Sequence, residues 1–118
     1  MEWNFRNDLP IYSQLVEQIK IAIVSGVFPP GMRLSSVRDM AMDAGVNPNT
    51  LQRALQELER QGLVYSQRTT GRYVTEDTKV IEESKRALAQ GQLAAFLDAM
   101  KKLGYERAEI IALLEEEA

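Results

Sequence analysis

Residues 45–64 read GVNPNTLQRALQELERQGLV, a short helix with a firm start and a clean stop. Pro48 suits the first helical position, where its fixed φ fits and its missing N–H would have had no partner. Asn47 stands before it as the cap, with a side-chain oxygen that can accept from an orphan N–H. Leu51, Ala54, Leu55 and Leu58 recur at spacings of three and four to make one apolar stripe, and Gly62 supplies a left-handed stop. At 100° per residue Asn49, Arg53, Gln56 and Arg60 fall on the opposite side, flanked by Thr50 and Gln52. One side of this helix is built for a core and the other for a partner.

Upstream, Ile11, Leu15, Ile19 and Ile23 repeat every four residues from Pro10, which predicts a first helix ending near Gly26. FPPGMRL (28–34) breaks the pattern. Ser36 followed by Asp39 has capping-box spacing and opens a second helix with Val37, Met40, Ala41 and Ala44 inward, ended by Gly45. Gly45-Val46-Asn47 is then the tight turn into the quoted helix. Downstream, LVYSQRTTGRYVT (63–75) reads as two short strands around a bend near Gly71. The expected fold is mainly α with a small β-hairpin: a winged helix-turn-helix over residues 1–77, whose third helix enters the DNA major groove.

Composition restricts the alternatives. The 118 residues are 45% hydrophobic, enough for one small domain with an appendage, and contain no apolar run long enough to span a membrane. Glu2, Arg6 and Asp8 interrupt the amino terminus, so no secretory signal is expected and the reading is cytoplasmic, without membrane association. Cysteine and histidine are both absent. That removes disulfides, thiolate metal sites, thiol nucleophiles and the usual general base, so neither an enzyme nor a metal or cofactor site is expected. Glu115, Glu116 and Glu117 read as a solvated helix end. The net charge is −3, yet from residue 33 to residue 72 six arginines face four acids, with no lysine. Arginine's planar fork suits phosphates and guanine edges better than lysine's point charge.

The stretch PIYSQLVEQIKIAIVSGVFPPGMRLSSVRDMAMDAGVNPNTLQRALQELERQGLVYSQRTTGRYV (10–74) resembles the DNA-binding domain of GntR-type bacterial transcription regulators. Its P-I-Y-x-Q start, its V-N-P-N-T-L-x-R-A core and its T-G-R-Y-V wing resemble the YtrA subfamily in particular. Two positions depart from the family pattern: Ser35 stands where proline is usual, and Thr69 where the wing usually has glycine. The resemblance implies DNA contacts by Arg38 and, at the start of the recognition helix, by Asn47, Pro48, Asn49, Thr50 and Gln52. It implies phosphate or minor-groove contacts from Arg68 and Arg72 at the wing tip, with Thr70 and Gly71 placed at the DNA between them and Gly71 serving the turn itself. Arg53 points away from the core on the helical wheel itself and is the first choice for a base contact. Ser35 and Ser36 could hold a phosphate at the amino end of their helix, or simply cap it.

From Thr78 the chain changes to TKVIEESKRALAQGQLAAFLDAMKKLGYERAEIIALLEEEA, without proline and with two helical patterns. Ile81, Leu88 and Ala95 are seven apart; Leu93, Phe96, Leu97, Met100 and Leu103 continue an apolar face to Gly104. Ile110, Ile111, Leu113 and Leu114 make a second patch. Ala87, Gly91, Ala94 and Ala95 would let another helix approach closely, or Gly91 would kink or break this one. Two such helices cannot enclose a core alone. Residues 78–118 are therefore expected to form a helical dimerisation region with Ile81, Leu88, Leu93, Phe96, Leu97, Met100, Ile110 and Leu114 in the seam, as the resemblance also implies. The function expected is a homodimeric, sequence-specific regulator, a repressor on an inverted-repeat operator of double-stranded DNA. The competing reading is a winged-helix protein-interaction module, against which the exposed arginines argue. Neither residues nor resemblance names a small-molecule effector.

Overall fold

In the computed structural model, which describes residues 1–117, the elements run α1 (Ile11–Val24), α2 (Val37–Ala44), α3 (Pro48–Arg60), β1 (Val64–Gln67), β2 (Gly71–Val74), α4 (Thr78–Lys102) and α5 (Arg107–Glu117). The chain divides into two units, Met1–Lys85 and Arg86–Ala118.

In the first unit, α3 is the central element. Asn47 Oδ1 accepts from the Asn49 N–H at 2.8 Å, and Pro48 takes the first helical turn. The stripe Leu51, Ala54, Leu55 and Leu58 is fully buried against Leu15, Ile19 and Ile23 of α1, Met40 and Ala41 of α2, and Leu63, Val64 and Val74 of the hairpin. Ser36 caps α2 by accepting from the Asp39 N–H at 3.1 Å. Gly45, at φ 70°, turns the chain left-handed so that the Val46 N–H reaches back to Ala41 O at 3.0 Å. A side chain there would be strained, which is why the α2–α3 turn needs glycine.

The hairpin pairs antiparallel, with Val64 opposite Val74, Tyr65 opposite Tyr73, Ser66 opposite Arg72 and Gln67 opposite Gly71. The Tyr65 and Tyr73 rings stack at 5.7 Å. A third rung comes from the segment before α2: Arg33 bridges Tyr73, the Leu34 N–H donates to Arg72 O at 2.9 Å, and the Val74 N–H donates to Met32 O at 2.9 Å. The wing is thereby tied to the chain on both sides of α2 and α3.

Two glutamines of α1 hold the amino-terminal segment. Gln14 Oε1 accepts from the Arg6 N–H at 2.7 Å while its Nε2 donates to Arg6 O at 2.9 Å. Gln18 does the same to Asn4, at 3.2 and 2.8 Å. Four helical residues rise about 6 Å and two extended residues about 6.6 Å, so the pair of amides imitates a neighbouring strand. Trp3 and Phe5 stack at 5.8 Å on the outside of the core, and Trp3 Nε1 donates to Asp43 of α2 at 2.9 Å.

Asp77 caps α4 by accepting from the Lys79 N–H at 3.0 Å, and the first turn of that helix belongs to the first unit. Ile81 is 8% exposed and sits in the core cluster; Val80 packs on it from the side, its Cγ1 lying over Gly62. The assignment of Ile81 to a pairing seam is therefore corrected: its side chain is already spent inside the winged unit. α4 runs unbroken through Gly91. In the second unit, Gly104 ends α4 with the Tyr105 N–H bonded to Met100 O at 3.1 Å, and Glu109 returns to cap the Glu106 N–H at 2.9 Å before α5.

Leu58→Ala, at a site with no exposure, should destabilise the protein by about 2–5 kcal/mol in urea unfolding. Gln14→Leu should cost about 1–3 kcal/mol, because it strands the Arg6 N–H and C=O, and should shift the fluorescence of Trp3, the one tryptophan, to the red as the segment detaches. An unchanged emission maximum would contradict the glutamine-ladder account.

Candidate nucleic-acid interface

The buried stripe of α3 leaves a face of three lanes. Asn49, Gln56 and Arg60 run along the middle and are exposed; Arg53 and Glu57 lie on the edge toward α1; Gln52 and Glu59 lie on the edge toward the wing. Each edge is fixed by a different contact.

On the α1 edge, the Arg53 guanidinium sits 4.7 Å from the centroid of the Tyr12 ring. Such a contact contributes about 0.5–1 kcal/mol at an exposed site, enough to restrict the side chain without burying its charge. Glu57 accepts from Arg60 at 2.8 and 2.6 Å and from Gln61 at 2.6 Å. The hydrogen bonds from Arg60 and Gln61 hold its carboxyl at about 2.

On the wing edge, Arg72 reaches from β2 across to α3. Its Nε donates to Glu59 Oε1 at 2.7 Å and its Nη1 to Gln52 Oε1 at 3.1 Å; Ser66 Oγ adds a second bond to Glu59 at 2.5 Å. Arg72 is only 18% exposed. Burial works to raise the Glu59 carboxyl, but the bonds from Ser66 and Arg72 together outweigh it and hold it below its ordinary range. A lowered pKa means that this contribution to stability is complete above the ordinary carboxylate range and fades as pH falls through it. The wing and the helix are latched together at neutral pH.

The residues singled out in the sequence fall into two groups. Arg38, Asn49, Arg53 and Arg68 are exposed, and none of these arginines makes an ion pair among the described residues. Ser35 and Pro48 are exposed and Thr50 is half-buried. Ser36 and Asn47 are engaged as helix caps. Thr70 bonds Gln67 within the turn at 3.0 Å. Arg72, expected to grip the DNA backbone, donates to Glu59 and Gln52 in this structure and so clamps strand to helix. The local excess of positive charge is therefore carried by four unpaired arginines, 33, 38, 53 and 68. Of these, Arg33 was not read from the sequence as a site residue. Its Nε lies 3.3 Å from where a Cβ on Gly71 would stand, so it flanks the wing turn. Tyr12 and Glu59 were missed for the same reason: their roles arise from partners far away in sequence.

In the second unit, Leu93 is 55% exposed and Phe96 40%, with Leu103, Ile111 and Leu114 also exposed and Leu88, Leu97, Met100 and Leu113 half-buried. Ile110 is 2% exposed, so its side chain is closed off from any further partner. No described helix is long and apolar enough to cross a membrane, and no group of acidic side chains among the described residues could hold a metal ion.

Comparison with known proteins agrees with this geometry. The family described as bacterial regulatory proteins, gntR family, matches residues 11–74. The HTH-type transcriptional repressor YtrA of Bacillus subtilis is 35% identical over 98 residues, covering 83% of this chain and 71% of that protein. A GntR family transcriptional regulator from Listeria monocytogenes superposes with a TM-score of 0.88 at 40% identity, covering 95% of this chain and 98% of that one. The DNA-binding domain of AraR, solved in complex with operator ORX1, superposes with a TM-score of 0.58 at 29% identity over 64% of this chain and 96% of its own. With its tight α2–α3 turn, its latched wing and a family match over more than half its length, the chain belongs to the GntR family of bacterial transcription regulators.

Proposed function

We propose that this protein binds an inverted-repeat operator as a homodimer and acts as a repressor. The observation that carries the DNA reading is the face of α3: Asn49, Gln52, Arg53 and Gln56 stand clear of the core on a helix whose two edges are held by Tyr12 and Arg72. α3 lies in the major groove, with Asn47 and Asn49 at the helix start near base or phosphate. Arg33 and Arg68 flank the wing turn and meet backbone phosphate. Arg38 and Ser35, both exposed around the amino end of α2, approach the adjacent strand. That YtrA is a repressor supports the sign of regulation proposed here.

The dimer reading rests on α4 and α5. Leu93 and Phe96, three apart, expose an apolar stripe that continues into the half-buried Leu97 and Met100, and Gly91 and Ala94 beside it allow close approach of a second helix. In this proposal the pairing surface lies within 78–118 beyond the first turn of α4, and the winged unit reads DNA. Ile81 and Ile110 are left out of the seam, because both are buried within one chain. Joining two winged modules makes the second contact intramolecular, a gain of about 10²–10⁴ in affinity. That gain matters in a protein of net charge −3, whose non-specific attraction to a polyanion is weak.

Arg53→Ala should cost about 1–3 kcal/mol and relax preference at one position per half-site. Arg68→Ala should weaken all sequences alike and reduce the salt slope by about one. Competition binding against single-base operator variants at several salt concentrations distinguishes the two, and an Arg53→Ala profile identical to wild type would refute the base contact. A chain cut after Lys85, which keeps Ile81 in the core, should fold and run as a monomer in light scattering. It should bind full operator 10²-fold or more weakly. Phe96→Glu should do likewise; a variant that remains dimeric would overturn this assignment of the pairing surface.

A further inference from the structure

Gln52 is half-buried on the wing edge of α3, and among the described residues its amide makes one hydrogen bond, accepted by Oε1 from Arg72 Nη1 at 3.1 Å. A guanidinium carries donors and no acceptor, so the end of the amide that faces Arg72 is necessarily the carbonyl oxygen. Arg72 is not free to turn away: Glu59 holds its Nε at 2.7 Å, Ser66 holds Glu59, and the Leu34 N–H holds the Arg72 carbonyl at 2.9 Å. Resting on the reading that α3 enters the major groove, we infer that the Arg72 clamp fixes the polarity of Gln52. This side chain then meets the base edge as a donor and selects guanine.

The chemistry of the groove sets the choice. Adenine presents the N7 acceptor beside the N6 donor, and an unrestrained glutamine matches it with both ends of its amide. Guanine presents two acceptors side by side, N7 and O6. With Oε1 turned toward Arg72, the amide NH₂ is the end directed away from the clamp and toward the base, and it finds acceptors at both positions of guanine. Approaching adenine, it would meet N7 on one side and another NH₂ group on the other. Arg72 therefore acts as a positioning residue for specificity while touching no base itself.

The experiment is selection from random duplexes with the full-length protein and three variants. Wild type should enrich guanine over adenine about 5-fold or more at one position per half-site, and Gln52→Ala should lose that preference at that position alone. Arg72→Met, which frees Oε1, should move the same position toward adenine. Gln52→Glu keeps the clamp, as a carboxylate bound by Arg72, and replaces the donor by an acceptor. It should fold as wild type by circular dichroism, lose guanine and favour cytosine, whose N4 donates. Adenine at the Gln52-dependent position of wild type, or a position unchanged in Gln52→Glu, overturns the inference while leaving the operator reading intact. Failure of wild type to enrich any sequence overturns both.

Discussion

Burial of one stripe on α3 is the constraint from which the rest of this structure follows. Leu51, Ala54, Leu55 and Leu58 are fully buried, and the side chains that enclose them come from α1, α2 and both strands. Fully burying a leucine side chain contributes about 1.5–3 kcal/mol, so this stripe alone is comparable to the net stability of a small domain. A helix buried so completely on one side cannot roll about its axis without exposing leucine to water. The same burial that holds the domain together thus fixes which side chains point outward, and with what angular precision.

That rotation would still leave the outward side chains free to wander, and here the edges matter. Tyr12 restrains Arg53 on one side and Arg72 restrains Gln52 on the other, while Asn49 and Gln56 between them are exposed. Both restraints come from elements packed against α3 through the leucine stripe, α1 and the wing. The core thus orders the outer face of α3 twice, once by setting the helix and once by delivering its lateral partners. Restricting side chains before binding lowers the entropy lost on binding, which favours affinity without adding a contact.

Much of this was legible in the sequence, because it is written in local periodicities and caps. Asn47-Pro48, Ser36 with Asp39, Gly45, Gly62 and Gly104 mark their helix ends in the structure where their chemistry requires. The hairpin was legible too, from β-formers on either side of Gly71. The parts that were not legible depend on pairs separated by many residues. Nothing near Arg72 announces that Glu59 and Gln52 will receive it, and a wing arginine in isolation reads as a phosphate contact. Gln14 and Gln18 look like ordinary polar positions on an amphipathic helix until the extended Asn4–Arg6 segment lies alongside. Ile81 misled for a different reason: its seven-residue spacing to Leu88 continues a seam, but the first turn of α4 folds onto the core and uses that side chain there. Gly91 does not break α4, since the cost of one glycine, about 1 kcal/mol, is spread over a helix otherwise rich in alanine, leucine, glutamine and lysine.

Six arginines between residues 33 and 72 suggested an electropositive face on an acidic protein, but Arg60 and Arg72 are each neutralised by a glutamate of α3. The positive field that remains comes from arginines 33, 38, 53 and 68, single charges placed on different elements. Scattered charges of this kind attract a polyanion weakly, and each contributes fully only when the duplex fits all of them at once. A strongly basic face would hold any sequence. In the proposed complex this arrangement makes geometry the condition for binding, so discrimination rises as non-specific affinity is given up, and the proposed pairing of two such faces multiplies the geometric condition together with the affinity.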